Sequence, residues 1–157
     1  MIARPRRIRR TGAVLLAVLA AVTLAVPAAA GGAQVTRGTF HAFSANTALD
    51  ISGHAVMVRT ADGRTFVSVH LEGLAANTAY GSHIHKQACS DNFAGTHYRF
   101  DPAGPADDVN EIWPAFTTNG AGIGNGNARN DGTADSTAVS VVVHAPGGVK
   151  ITCADLG

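Results

Sequence analysis

The chain has 157 residues, room for one domain and not for several. Its 12 Lys/Arg nearly balance 11 Asp/Glu, but five arginines fall within the first ten residues with no acid among them. Beyond residue 30 seven basic residues face 11 acidic ones, a net charge of −4, and this mildly acidic, aromatic-poor composition without a basic stripe argues against a nucleic-acid partner.

The Arg-rich start runs into an apolar stretch over 13–26, then Pro27 and Ala28-Ala29-Ala30 before Gly31. That pattern predicts a signal peptide over 1–30 and an exported mature domain over 31–157, secreted or associated with the cell envelope. The apolar stretch is shorter than the about 20 residues of a spanning helix, so no stable membrane span is expected in the mature form. An uncleaved N-terminal anchor is the alternative. Arg6-Arg7 and Arg9-Arg10 hint at a twin-arginine route, although Arg-rich starts are common.

After Gly31 helical periodicity is scarce. Alternating or β-branched runs predict strands over 35–43, 51–60, 65–71 and 80–85, with Ala61-Asp62-Gly63 as a hairpin turn and Ala75-Ala76-Asn77 between the third and fourth. From Lys86 to about Glu111 no period is visible, and a loop of that length in a compact domain is usually functional. The Gly/Asn-rich stretch 119–127 does not match a dinucleotide fingerprint and reads as a turn or a Greek-key connection. Strands return over 138–144 and 149–153, joined by Pro146-Gly147-Gly148. Many short strands with turns between them predict an all-β sandwich or barrel. Of the two cysteines, Cys89 and Cys153, the simplest reading in an oxidising compartment is a disulfide; two thiolate metal ligands are the alternative.

All seven histidines lie beyond residue 30. His83 and His85 are two apart in a predicted strand, so their imidazoles leave one face while Ile84 points to the other, towards the core. Alone, that pair reads equally well as two solvent-facing polar residues. His97, in the long loop, and His144, at the rim end of a run of strand formers, make a set of three or four imidazoles without thiolate or carboxylate, which suits copper or zinc. His41, His54 and His70 fall outside this set, and His54 and His70, on predicted strands, read as outer-face residues.

Four segments then point to a family. GSHIHKQACS (81–90) resembles the copper-binding strand and following cysteine of secreted bacterial copper/zinc superoxide dismutases. AGTHYRFDP (94–102) resembles their glycine-histidine loop with Tyr98-Arg99 inserted, VVVHAPGG (141–148) the strand with their last copper histidine, and VKITCADLG (149–157) their C-terminal strand with the second cysteine. The resemblance implies a Greek-key β-sandwich of that type, with His83, His85 and His144 as copper ligands and His97 at the bridging position. It also implies a Cys89–Cys153 disulfide, and Lys150 where the family has an arginine beside the copper. The family's zinc histidines have no counterpart between His97 and His144. NEIWPAF (110–116) stands in place of the zinc aspartate segment, with Ile112 at or near that aspartate. The expectation is therefore a copper-only site with zinc absent, leaving Glu111, Asp107 and Asp108 as conceivable oxygen ligands and Trp113 as core filling. The function implied is an exported copper-dependent superoxide dismutase that turns superoxide into oxygen and hydrogen peroxide. His97 would supply a proton, and Lys150 would act as a mobile point charge that guides the anion less well than arginine. A secreted copper-binding or storage protein using the same histidines is the alternative.

Overall fold

The computed structural model describes residues 32–43 and 50–157, all within one unit, Gly31–Gly157. The signal-peptide expectation for 1–30 lies outside the described residues. Among the described residues there are nine strands: β1 (Gln34–Thr39), β2 (His41–Ala42), β3 (Ser52–Arg59), β4 (Thr65–Glu72), β5 (Ala79–His85), β6 (Phe116–Thr117), β7 (Gly124–Asn130), β8 (Ser140–His144) and β9 (Lys150–Asp155). They form two antiparallel sheets, ordered β1-β3-β4-β7 and β2-β9-β8-β5-β6. This all-β arrangement is compatible with a β-sandwich, and no helix among the described residues is long and apolar enough to cross a membrane.

The first sheet follows the alternation rule. β4 reads TFVSVHLE, with Thr65, Val67, Val69 and Leu71 buried and the residues between them facing out. Their partners on β3, Ala55 and Met57, complete an inner face that shares one core cluster with Tyr80, Ile84, Val141, Val143 and Ile151 of the second sheet. The sequence expectation of one strand over 35–43 is corrected. The chain pairs with β3 as far as Thr39, turns in at Phe40, which is buried, and resumes as β2 against β9 in the other sheet. Alternation marks extended chain and carries no record of which sheet it joins.

The Gly/Asn-rich stretch 119–127 is a turn over 119–123, as expected, and is corrected from Gly124 on, where it runs as strand β7. Gly124 and Gly126 face inward, where a Cβ would stand 2.3 Å from the Phe116 ring and 2.1 Å from the Pro114 carbonyl oxygen. The missing side chains let the 113–116 segment lie directly on the strand, while Asn125, Asn127 and Arg129 face solvent. Glycines lower strand propensity, which hides the element from a sequence reading.

β8, Ser-Val-Val-Val-His, is buried along its whole length. Val141 and Val143 face the main core. Val142 faces outward into a second cluster with Phe43, Cys89, Ala94 and Cys153. That outer face is covered because the long loop folds back over it, fastened by the Cys89–Cys153 disulfide. The loop holds no strand between β5 and β6, only a single 3₁₀ turn at Asn92–Ala94, as expected for an aperiodic segment.

Candidate metal centre

Antiparallel register puts directly paired residues on the same face. Gly81 pairs with His144, His83 with Val142 and His85 with Ser140, so His83, His85 and His144 all emerge on the outer face beneath the loop. A register break between Val143 and His144, where the chain enters the Pro146 turn, sets His144 at the rim. The loop supplies the fourth imidazole. Lys86 donates its N–H to the Thr96 carbonyl at 3.0 Å and Tyr98 donates to the Ile84 carbonyl at 2.8 Å, so the chain returns alongside the end of β5 and His97 bridges to His85. Tyr98, an inserted residue in the resemblance, anchors this return: its ring is buried, and its hydroxyl accepts the Asp135 N–H.

The four side chains converge. One ligand nitrogen from each of His83, His85, His97 and His144 lies within 4.8 Å of all the others. His83 and His97 are closest, with ring centroids 4.2 Å apart. Each ring's direction follows from what its other atoms touch. His85 Nδ1 is 3.3 Å from the Gly95 carbonyl and His144 Nδ1 is 3.1 Å from the Gly148 carbonyl. A carbonyl only accepts, so both Nδ1 atoms carry the proton and both Nε2 atoms keep a lone pair. Those Nε2 atoms, together with His83 Nδ1, are buried and have no hydrogen-bond partner among the described residues. Buried polar atoms are ordinarily satisfied, and three unsatisfied imidazole nitrogens facing one point are what a metal cation fits. A buried four-histidine group of this kind can hold a metal ion, and its donors suit copper or zinc.

His97 is held differently. Its Nδ1 donates to Glu111 Oε2 at 2.7 Å, leaving Nε2 for the cluster. Glu111 is fully buried; the same Oε2 accepts the Trp113 indole N–H at 2.9 Å, and Oε1 accepts Arg99 Nε at 2.8 Å. Burial pushes the Glu111 carboxyl upward, but the hydrogen bonds from Arg99, Trp113 and His97 outweigh it and hold the group below the ordinary carboxylate value, so it is ionised. Glu111, raised from the sequence as a conceivable oxygen ligand, instead has both oxygens engaged by three N–H donors. Asp107 caps the turn before it through the Val109 and Asn110 N–H groups, and Ile112 is buried in the main core. Trp113 is not simple core filling: its ring stands edge-on to His83 at 5.5 Å. Among the described residues the other triad of ligand-type atoms is His41, Cys89 and Asp155, where Cys89 is already in the disulfide.

Burial lowers three of the four imidazoles. His83 falls to about 4 and His85 to about 3, chiefly through desolvation and then through repulsion from neighbouring cations, and His144 is lowered for the same first reason. At neutral pH these rings are uncharged and ready to ligate.

Lys150 lies beside the group, but the expected mobile point charge is corrected. Its ammonium donates to the Phe93 carbonyl at 2.7 Å and the Gly95 carbonyl at 2.6 Å. Those carbonyls belong to a segment, Asn92 to Gly95, that runs in left-handed conformation through three non-glycine residues. Such backbone persists only where its surroundings hold it, and Lys150 does part of that holding. Because Gly95 O also meets His85 Nδ1, the lysine is linked to the orientation of a cluster ring. His41 and His54 are exposed and apart from the cluster, and His70 has both nitrogens engaged, by Asn125 and Glu72.

Sequence reasoning therefore named the four histidines, and did not foresee how Glu111, Arg99 and Trp113 support them. No family model matches this chain, and no curated protein matches it significantly.

Proposed function

We propose that this chain is an exported, copper-dependent superoxide dismutase, built as a Greek-key sandwich of the copper/zinc superoxide dismutase type with a copper-only histidine site. The observation that carries the reading is the set of buried, unsatisfied nitrogens of His83, His85 and His144 facing the same point as His97. The strand order, in which β7 returns to the first sheet and β8 and β9 to the second, supports the Greek-key part. The four sequence segments support the family, since the loop and strands that carry them meet around this group.

Copper, when bound, supplies a one-electron couple, so that one superoxide loses an electron to become oxygen and a second gains one, with two protons, to become hydrogen peroxide. The chain's own residues do the rest. His83, His85 and His144 would hold the ion, with His85 and His144 fixed in the tautomer that leaves Nε2 with its lone pair. His97 Nε2 is the atom that takes up and releases a proton, because Glu111 keeps Nδ1 protonated throughout. Glu111 engages His97 Nδ1, the nitrogen a second metal ion would need, and its own oxygens are taken by His97, Trp113 and Arg99, which favours the copper-only form. Lys150 gives the approach a positive charge at a fixed place.

The test is the copper-to-zinc ratio of the purified exported protein, its copper ESR spectrum and its dismutation rate. One copper per chain, negligible zinc and a rate far above free copper are expected. Failure to retain copper overturns the reading. A secreted copper-binding or storage role is the second reading, favoured by one observation: two backbone carbonyls engage the Lys150 ammonium. Tight copper retention with dismutation no faster than free copper would decide for it.

A further inference from the structure

The outer face of the first sheet carries a second group of ligand-type side chains, sharing no residue with the buried histidines. His54 on β3 and His70 on β4 are directly paired, so both imidazoles leave the same face. Their ring centroids are 5.5 Å apart, within the 4.2–5.7 Å found between rings of the buried group. Glu72 lies two residues beyond His70 on the same strand, and buried Leu71 between them points the other way, so the carboxylate joins the two rings. Asn125, the partner of His70 on β7, completes the row.

The contacts of His70 set its chemistry. Its Nδ1 is 2.9 Å from Asn125 Oδ1, an atom that only accepts, so Nδ1 carries the proton. In the neutral ring Nε2 then holds a lone pair, and it faces Glu72 Oε1 at 3.2 Å, a second atom that only accepts. Two acceptors at this distance call for a cation between them, either another proton on the ring or a metal ion. Zinc binds nitrogen and carboxylate oxygen at about 2.0–2.2 Å in tetrahedral array, which sets neighbouring ligand atoms about 3.3 Å apart. The observed separation is that of two ligands on one ion. An outer partner that fixes the ring tautomer, here Asn125, is the usual companion of a ligating histidine. His54 is exposed, and its ring nitrogens make no hydrogen bond among the described residues, so rotation of its side chain can bring one to the same ion.

We propose that His54, His70 and Glu72 form a second, solvent-facing site for a divalent ion of the zinc or copper class, with Asn125 holding His70 in the ligating tautomer. The site stands independently of the copper reading, because its residues belong to the other sheet.

The test is titration of the purified protein, stripped of metal by chelation, with zinc chloride up to about 1 mM at about pH 7.5, followed by nitrogen NMR of the imidazole rings. The ring signals report each histidine separately, so the outcome does not depend on what the buried group binds. Saturable shifts of His70 Nε2 and of one His54 nitrogen, with a common midpoint, are expected. His54→Ala should weaken the response of His70 by at least about tenfold, and Asn125→Ala by about tenfold, the scale for losing a supporting partner. His41→Ala, which removes an exposed histidine of the other sheet, should leave it unchanged. Ring signals of His54 and His70 that do not move, equal affinities in the protein and His54→Ala, or equal weakening by His41→Ala would overturn the proposal.

Discussion

Glu111→Gln is the substitution that probes most of the supporting structure with the fewest atoms. The carboxylate is fully buried and accepts three N–H bonds, from His97, Arg99 and Trp113. A glutamine of the same shape has one acceptor oxygen and one NH₂. If the oxygen faces His97 and Trp113, the NH₂ opposes the Arg99 guanidinium; reversed, it opposes His97 Nδ1 and the indole. Breaking one side of a buried ion pair typically costs about 3–5 kcal/mol. His97 and Arg99 are 32% and 34% exposed and can turn partly to water, which reduces the figure to about 2–3 kcal/mol. In a domain of this size that is a fall of about 8–12 °C in the thermal midpoint of the metal-free protein. The second consequence is chemical. An amide N–H facing His97 makes Nδ1 the acceptor and moves the ring proton to Nε2, the nitrogen left for a metal, and loss of such a supporting partner costs about 10–100-fold in metal affinity. Thermal unfolding, the His97 tautomer by nitrogen NMR and a competitive copper titration measure the three effects. An unshifted midpoint together with an unchanged tautomer and copper affinity would refute the assignment of Glu111.

Acid should weaken the metal-free protein in a defined window. The folded state holds His83 and His85 unprotonated down to about 4 and about 3, and His144 is lowered too, while the unfolded chain protonates them near 6.5. Below that pH the unfolded state binds more protons, so stability falls as pH falls, by up to about 1.4 kcal/mol per pH unit for each histidine, until the folded values are reached. Urea midpoints between pH 7 and 4.5 test this; a His83→Gln variant should show a shallower slope, and a flat wild-type profile would contradict the burial argument. Removing the disulfide by Cys89→Ser with Cys153→Ser should cost about 4 kcal/mol, given its sequence separation of 64, and should release the loop from the outer face. Faster hydrogen exchange at the Lys86 and Tyr98 amides in that variant is the accompanying sign. Gly124→Ala should cost about 1–3 kcal/mol because its Cβ would meet the Phe116 ring, whereas Asn125→Ala on the opposite face should cost well under 1 kcal/mol by chemical denaturation.

Much of the strand set was legible because burial on one face writes itself as alternation. β4 and β5 could be read residue by residue, and the β-branched run of β8 announced a strand covered on both sides. The phase of that alternation also put His83 and His85 on one face opposite Ile84. β7 was not legible, since its glycines were selected for the close approach of Phe116 and Pro114, partners invisible in a local window. The break between β1 and β2 was hidden for a similar reason: Phe40 looks like any other strand residue until the other sheet is present to receive its neighbours.

The sequence by itself determined the candidate ligands, their chemistry and the pairing of two cysteines, because those depend on residue type and spacing. Only the tertiary structure decided which nitrogen His85, His97 and His144 present. That choice rests on the Gly95 and Gly148 carbonyls and the Glu111 carboxylate, contacts made by chain folded back over the second sheet. It also turned Lys150 from a mobile charge into a fixed one, since the carbonyls that hold it exist only in the left-handed segment from Asn92 to Gly95. Hydrogen bonds have direction and composition does not, so the supporting contacts of a site appear only once the chain has closed around it.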